Sequence, residues 1–173
     1  GSADAQRARA RVLTALGRPG DADKAYIKSI TLRSRPSPEL YIEHATAMKN
    51  QVPPNFPRAI EILTAGINTL GPLVTLISPT IDLHLEAGTP ELALSTCDQL
   101  PPSLANTPNW LVRRAGILAT LGRTTMARQT YRTAQQAIAR LPERRRKTAA
   151  MTKLLTEIQN SINALKKPPS PTE

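Results

Sequence analysis

WLVRRAGILATLGRTTMARQTYRTAQQA, residues 110–137, is the stretch whose reading decides the fold. Its first half places Leu111, Ala115, Leu118 and Leu121 at separations of four, three and three, which is one face of a 3.6-residue helix. Gly122 follows, where a helix end calls for a left-handed backbone. The second half runs Met126, Ala127, Thr130, Tyr131, Ala134 and Ile138. Ala127, Tyr131 and Ala134 share a face at spacings of four and three. Small residues let two helices approach closely, and a tyrosine fills the space between turns. The stretch therefore reads as two amphipathic helices joined at Leu121-Gly122-Arg123.

Weaker copies lie upstream. Leu16-Gly17-Arg18 is followed by Ala22, Tyr26 and Ser29, and Ala87-Gly88 by Ala93, Cys97 and Leu100. Between them, Ala59, Leu63 and Gly66 keep the same rhythm. The alanines at 22, 59, 93 and 127 are separated by 37, 34 and 34 residues. A period of 34 with helix–turn–helix content marks a stacked repeat. The three extra residues of the first interval fall in QVPPNFP, residues 51–57, which reads as a loop in place of the short turn.

Leu-Gly, a small residue five positions on, an aromatic four further and a small residue three beyond that: this pattern resembles the tetratricopeptide repeat. The resemblance covers roughly residues 3–140 in four copies. The fourth copy matches best, with Trp110 near the start of its first helix. The second lacks the Leu-Gly turn, and the third has Cys97 and Leu100 where an aromatic and a small residue are usual. The resemblance implies an all-α, right-handed superhelical solenoid of about four helical hairpins closed by a C-terminal capping helix. Its concave groove, lined by the first helices, would hold a peptide or a helix of a partner. The expected partition is 1–2 as a cloning remnant, four repeats within 3–147 (about 3–36, 37–71, 72–105 and 106–142), a cap over 148–165 and a disordered tail over 166–173. The groove residues it implies are Arg7, Arg11 and Thr14 from the first copy and Glu39, Ile42, Thr46 and Asn50 from the second. The third supplies Ser78, Asp82 and Glu86, and the fourth Asn109, Val112 and Gly116. The lysine- and asparagine-rich carboxylate clamp of chaperone-tail receptors is absent from these positions.

Taken in order, the first helix is expected over 3–16 with an apolar stripe of Ala5, Ala8, Val12, Ala15 and Leu16. A terminal helix so lightly apolar would be a poor cap on its own, and whether further repeats or domains precede residue 3 stays open. Pro19-Gly20-Asp21 reads as the turn, with the partner helix over 22–33. Ser37 is placed as N-cap ahead of Pro38, in a helix running to about Asn50. Pro57 is expected to start the next helix. The third pair opens at Gly71-Pro72, and its first helix is read as continuous but kinked through Pro79. Pro90 starts the following helix, which stops at Pro101-Pro102, and residues 106–109 cap the fourth pair. The capping helix carries Met151, Leu154, Leu155, Ile158, Ile162 and Leu165 as a continuous stripe, as the end of a repeat array requires.

Composition narrows the function classes. Aromatic residues make up only 3%, fewer than enzyme pockets usually employ, and no apolar run is long enough for a membrane span. The lone Cys97 reads as a small core residue. His44 and His84 have no acidic or cysteine partner at ligand spacing, no glycine-rich phosphate loop occurs, and neither a catalytic residue, a metal nor a cofactor is expected. The formal charge of +10 is concentrated at Arg7, Arg9, Arg11 and Arg18, and again at Arg140, Arg144, Arg145, Arg146 and Lys147. Such clusters attract phosphates or acidic surfaces. The expected function is a non-catalytic scaffold with a protein or peptide partner. The alternatives are a nucleic-acid or anionic-surface binder that uses these two arginine clusters, with Arg144, Arg145, Arg146 and Lys147 as its basic patch, or a helical regulatory arm of a larger enzyme. Against nucleic acid stands the scarcity of aromatics for base stacking. The compartment, cytoplasmic or periplasmic, stays open.

Overall fold

Ala22, Ala59, Ala93 and Ala127, the four alanines that set the period, each lie fourth in a helix and are wholly buried. The structure, a computed structural model, describes residues 1–165, so the expected tail over 166–173 lies outside the described residues. The first pair of helices is α1 (Ala3–Ala15) and α2 (Pro19–Thr31), followed by α3 (Pro38–Lys49) and α4 (Phe56–Leu70). Then come α5 (Val74–Glu86), α6 (Pro90–Cys97) and the one-turn α7 (Pro102–Ala105). The fourth pair is α8 (Pro108–Thr120) and α9 (Thr124–Ala139), followed by the one-turn α10 (Glu143–Arg146) and by α11 (Ala149–Ala164). Two compact bodies result, Gly1–Thr96 and the chain from Cys97 onward. Their boundary falls inside the third expected repeat.

Proline starts helices here as often as it stands in loops among the described residues. It holds the first or second position of α2, α3, α4, α7 and α8, where its missing N–H costs no helical bond. This corrects the expected turn at Pro19-Gly20-Asp21: those residues are the first turn of α2, and the real turn is Leu16–Arg18. The Leu-Gly signature works as expected, with Gly17 at φ 66° and Gly122 at φ 69°. Ser37 takes the cap position of α3 in extended backbone, but its side chain accepts no N–H; Asn55, by contrast, caps α4 by accepting from Arg58 N. α5 is continuous through Pro79.

In the first body α1 packs on α2, α3 on α4, α2 on α3 and α4 on α5. The first helices bury residues in one register. In α3 these are Leu40, Tyr41, His44, Ala45, Ala47 and Met48, and a shift of 36 gives the buried set of α5, from Leu76 to His84, without exception. α1 departs from its expected stripe. Its buried residues are Gln6, Ala10 and Leu13, whereas Ala5, Ala8, Val12, Ala15 and Leu16 face solvent. Alanine is scattered all around α1, so periodicity left its rotation open. What fixes it is polar: Arg7 and Arg11 reach α3, and the Ser29 hydroxyl donates to Ala3 O at 2.8 Å.

In the second body α8 packs on α9, and α11 packs on α9. Leu111, Ala115, Tyr131, Ala134, Ile138, Ile158 and Ile162 form its buried cluster, and Met151, Leu154, Leu155 and Leu165 flank it. The expected apolar stripe of α11 is thus the packed one, and Lys153, Glu157, Gln159, Asn160 and Asn163 are outward. Met126 does not join the core of α9; it is half exposed. The one-turn helices α7 and α10 escaped the periodicity because four residues show no period.

Candidate interaction face

The expected groove residues of the first copies lie on α1, α3 and α5, and a carboxylate that the sequence reading passed over organises them. Glu43, partly buried on α3, accepts five hydrogen bonds. Arg7 donates from Nη2 and Nε to Oε2 at 2.5 and 3.0 Å. Arg11 donates from Nε to Oε1 and from Nη2 to Oε2, both at 2.7 Å. The Tyr26 hydroxyl donates to Oε1 at 3.1 Å. Bonds to the ionised form favour it, so Glu43 is held down to about 2, chiefly by Arg11, with burial opposing and Arg7 and Tyr26 assisting. Tyr26 is pushed up to about 12 by burial and by the facing Glu43 charge. Arg7 and Arg11, expected to present positive charge, are therefore largely spent on an internal partner.

Further along the same helices Lys49 Nζ lies 2.6 Å from Glu86 Oε1, joining α3 to α5. Between these helices opens a cleft of about 230 Å³. Ile42, Ala45, Leu63, Pro79 and Leu83 give it an apolar floor, and Thr46, Lys49, Asp82 and Glu86 its polar wall. Pro79 lines this cleft from the interior of α5. The structure thus brings Ile42, Thr46, Asp82 and Glu86 together around one cavity. Arg7 and Arg11 lie on α1 and are held against Glu43, Glu39 and Asn50 are exposed at either end of α3, and Ser78 is half-buried on α5.

In the second body Asn109 is exposed at the start of α8, and Val112 packs against the apolar cluster with the residues of α11. Trp110 carries the Arg113 guanidinium 5.3 Å from its ring centroid. Arg144, Arg145, Arg146 and Lys147 are exposed on and just beyond α10. Even there Lys147 pairs with Glu143 at 2.6 Å, and Arg146 Nη1 donates to Ala139 O at 3.2 Å.

A second polar cluster, also missed by sequence reading, joins α2, α3 and α4. Asp23 accepts from His44 Nε2 at 2.6 Å and from Arg58 Nε and Nη2 at 3.1 Å. An ionised carboxylate only accepts, so His44 carries its proton on Nε2. His44 Nδ1 is buried with no partner, and the ring stacks on Tyr26 at 4.8 Å between centroids. Burial, helped by Arg58, holds His44 below the usual histidine range against the pull of Asp23. The sequence reading gave His44 no acidic partner. Asp23 lies 21 residues away on another helix, which no local spacing reveals. Cys97 is buried and its thiol is pushed up to about 11 by that burial, as suits a core residue. Among the described residues no cluster of His, Cys, Asp and Glu could hold a metal, and no helix is long and apolar enough to cross a membrane.

No family profile and no curated protein matches this sequence. Solved structures do. A tetratricopeptide repeat protein from Parabacteroides merdae superposes with a TM-score of 0.60 at 14% identity, over 94% of this chain and 63% of that one. PilF of Pseudomonas aeruginosa matches at 0.52 and 20% identity, over 95% of this chain and 73% of the other. MamA from Desulfovibrio magneticus matches at 0.55 and 11% identity, over 95% and 94%. This chain accordingly spans less than two thirds of the Parabacteroides protein. Identities this low speak to architecture alone, and with the wholly buried alanines and the Leu-Gly turns they give the conclusion: the chain has the tetratricopeptide-repeat fold.

Proposed function

We propose that this chain is a non-catalytic protein-interaction scaffold, its four repeats divided as the sequence pattern divides them, and that the first helices α1, α3 and α5 bind a peptide or partner helix. The observation that carries the reading is the cleft between α3 and α5. Its apolar floor suits a single aliphatic side chain, and its polar wall of Thr46, Lys49, Asp82 and Glu86 offers donors and acceptors to the polar groups beside that side chain. The Glu43 knot with Arg7 and Arg11 prefixes the angle between α1 and α3, so little ordering remains for the partner to impose. The ion pairing of Arg7, Arg11 and Arg18 weighs against the nucleic-acid reading, since Arg18 also holds Asp21 at 2.6 Å.

The test is affinity capture from the source lysate with and without nuclease, comparing the native chain, Asp82→Arg, and a variant with Arg144, Arg145, Arg146 and Lys147 all changed to alanine. A protein retained after nuclease by the native chain and the alanine variant but lost with Asp82→Arg supports the scaffold. Material lost with the alanine variant and removed by nuclease overturns it in favour of the basic patch.

A further inference from the structure

A second cavity, of about 190 Å³, opens among α2, α3 and α4. Tyr41 and His44 of α3 and Ile62 of α4 are its buried floor, and Ile27 of α2 and Ala65 of α4 stand exposed at its mouth. α3 turns Ile42, Ala45, Thr46 and Lys49 to the cleft described above but Tyr41 and His44 to this cavity, so the two sites share no residue. The floor holds an unspent acceptor. The His44 side chain is 1% exposed; its Nε2–H goes to Asp23 and one face of its ring to Tyr26, neither of which lines the cavity. What those contacts leave of the ring includes Nδ1, a buried lone pair with no donor among the described residues. Under the shift of 36 that relates α3 to α5, the counterpart of His44 is Thr80, whose hydroxyl donates to Leu76 O at 2.7 Å. The unmade bond therefore belongs to this junction and not to the repeat in general.

We propose that this cavity receives a tyrosine side chain of a partner protein, whose hydroxyl donates to His44 Nδ1. Size, depth and charge select that group. An enclosed cavity of roughly 150 Å³ takes one benzene, so this one suits a single six-membered ring. The donor must reach the buried floor past Ile30 and Ile62, and a phenol carries its O–H at the far end of an apolar body. Serine and threonine are too short for that path. Lysine or arginine would leave a charge among isoleucines, facing a neutral nitrogen. Arg58 also lines the cavity, and its edges are held by Asp23 and Glu61, which leaves its flat face for the ring. The exposed mouth at Ile27 and Ala65 gives the backbone that carries the ring a way out, as a side chain needs. This contact is additional to the α3–α5 cleft and stands without it.

The probes are p-cresol, toluene and N-acetyltyrosinamide, each titrated into the full chain labelled at its isoleucine δ1 methyl groups and followed by NMR. p-Cresol and N-acetyltyrosinamide should shift the Ile27, Ile30 and Ile62 methyl signals saturably, and toluene should bind about fivefold more weakly than p-cresol for want of one hydrogen bond. Ala65→Phe should fill the mouth and abolish the saturable shifts; Ala65 is exposed, so this variant should keep the native circular dichroism. Asp82→Arg should titrate as the native chain does, which separates this site from the cleft proposed above. Absence of saturable shifts in the native chain, toluene binding as tightly as p-cresol, or binding indifferent to Ala65→Phe overturns the proposal. So does binding of p-cresol without binding of N-acetyltyrosinamide, since the cavity would then take a free phenol and not a side chain.

Discussion

Tyr26 and Tyr131 occupy the same place in the repeat, four residues after a wholly buried alanine, yet the two bodies use them in opposite ways. In the first body the next helix brings Glu43 and His44 to Tyr26, which hydrogen-bonds one and stacks on the other. In the second body α11 brings Ile158 and Ile162, and Tyr131 ends in an apolar cluster. An internal junction between repeats must fix an angle, and directional bonds between arginine, carboxylate and hydroxyl do that. A closing junction needs only to cover apolar surface, and branched aliphatic side chains do that with no partner to miss. The difference teaches that one repeat template tolerates two kinds of glue, chosen by the helix that follows.

The comparison can be broken first at its apolar end. Ile158 is wholly buried, and Ile158→Ala should lower the stability of the second body by about 3 kcal/mol through lost transfer energy and a residual cavity, read from urea unfolding. A loss below about 1 kcal/mol would mean that α11 is not the closing element. At the polar end, Glu43→Gln should cost about 2 kcal/mol, because it leaves two guanidinium groups without their charge partner and weakens the Tyr26 bond. The same variant should let Tyr26 ionise below its native value of about 12 in an ultraviolet titration, while burial, the larger cause, keeps it above the ordinary tyrosine range.

A matched pair of glycines sharpens the contrast. A Cβ on Gly66 would lie 2.9 Å from Tyr41 Cγ, so α3 and α4 touch there through the missing side chain. A Cβ on Gly116 would meet only the Tyr131 hydroxyl, at 3.8 Å. Gly66→Ala should therefore destabilise by about 1–2 kcal/mol by overpacking, while Gly116→Ala should be neutral or gain up to about 1 kcal/mol of helix propensity. Equal melting temperatures for the two variants would contradict this packing.

The smallest effect concerns pH. His44 titrates lower in the fold than in the unfolded chain, so its contribution is complete above the ordinary histidine range near 6.5 and is lost as pH falls through the lowered folded value. Stability should fall as pH drops from neutral through the ordinary histidine range and below it, and His44→Gln should flatten that slope. Glu43, also lowered, adds its own loss only further down, as pH falls from about 4.5 toward about 2. A slope unchanged in His44→Gln would place the titrating group elsewhere.

The fold was legible because its strongest constraint is local. A buried alanine at the fourth position of each second helix, followed by a space-filler one turn on, recurs at a nearly fixed period that apolar spacing exposes. The proline-started helices were legible only in part, because proline serves both a turn and a first helical position, and Pro19 takes the second role. The rotation of α1 was hidden, since its alanines lie on every side and Arg7 and Arg11 decide the matter through a carboxylate 36 and 32 residues away. The Asp23–His44–Arg58 cluster was hidden for the same reason. Of the proposed face, the sequence named Ile42, Thr46, Asp82 and Glu86, but not Lys49, which lies on the same cavity wall.

The most direct test of the scaffold reading is photo-crosslinking from a benzoylphenylalanine placed at Thr46, beside the α3–α5 cleft, compared with one placed at Arg144. Both sites are exposed, so both probes are tolerated. The predicted result is a discrete, nuclease-resistant protein adduct from position 46 and none from position 144. An adduct from position 144 alone, or one that vanishes with nuclease, would contradict the assignment of partner binding to the first helices.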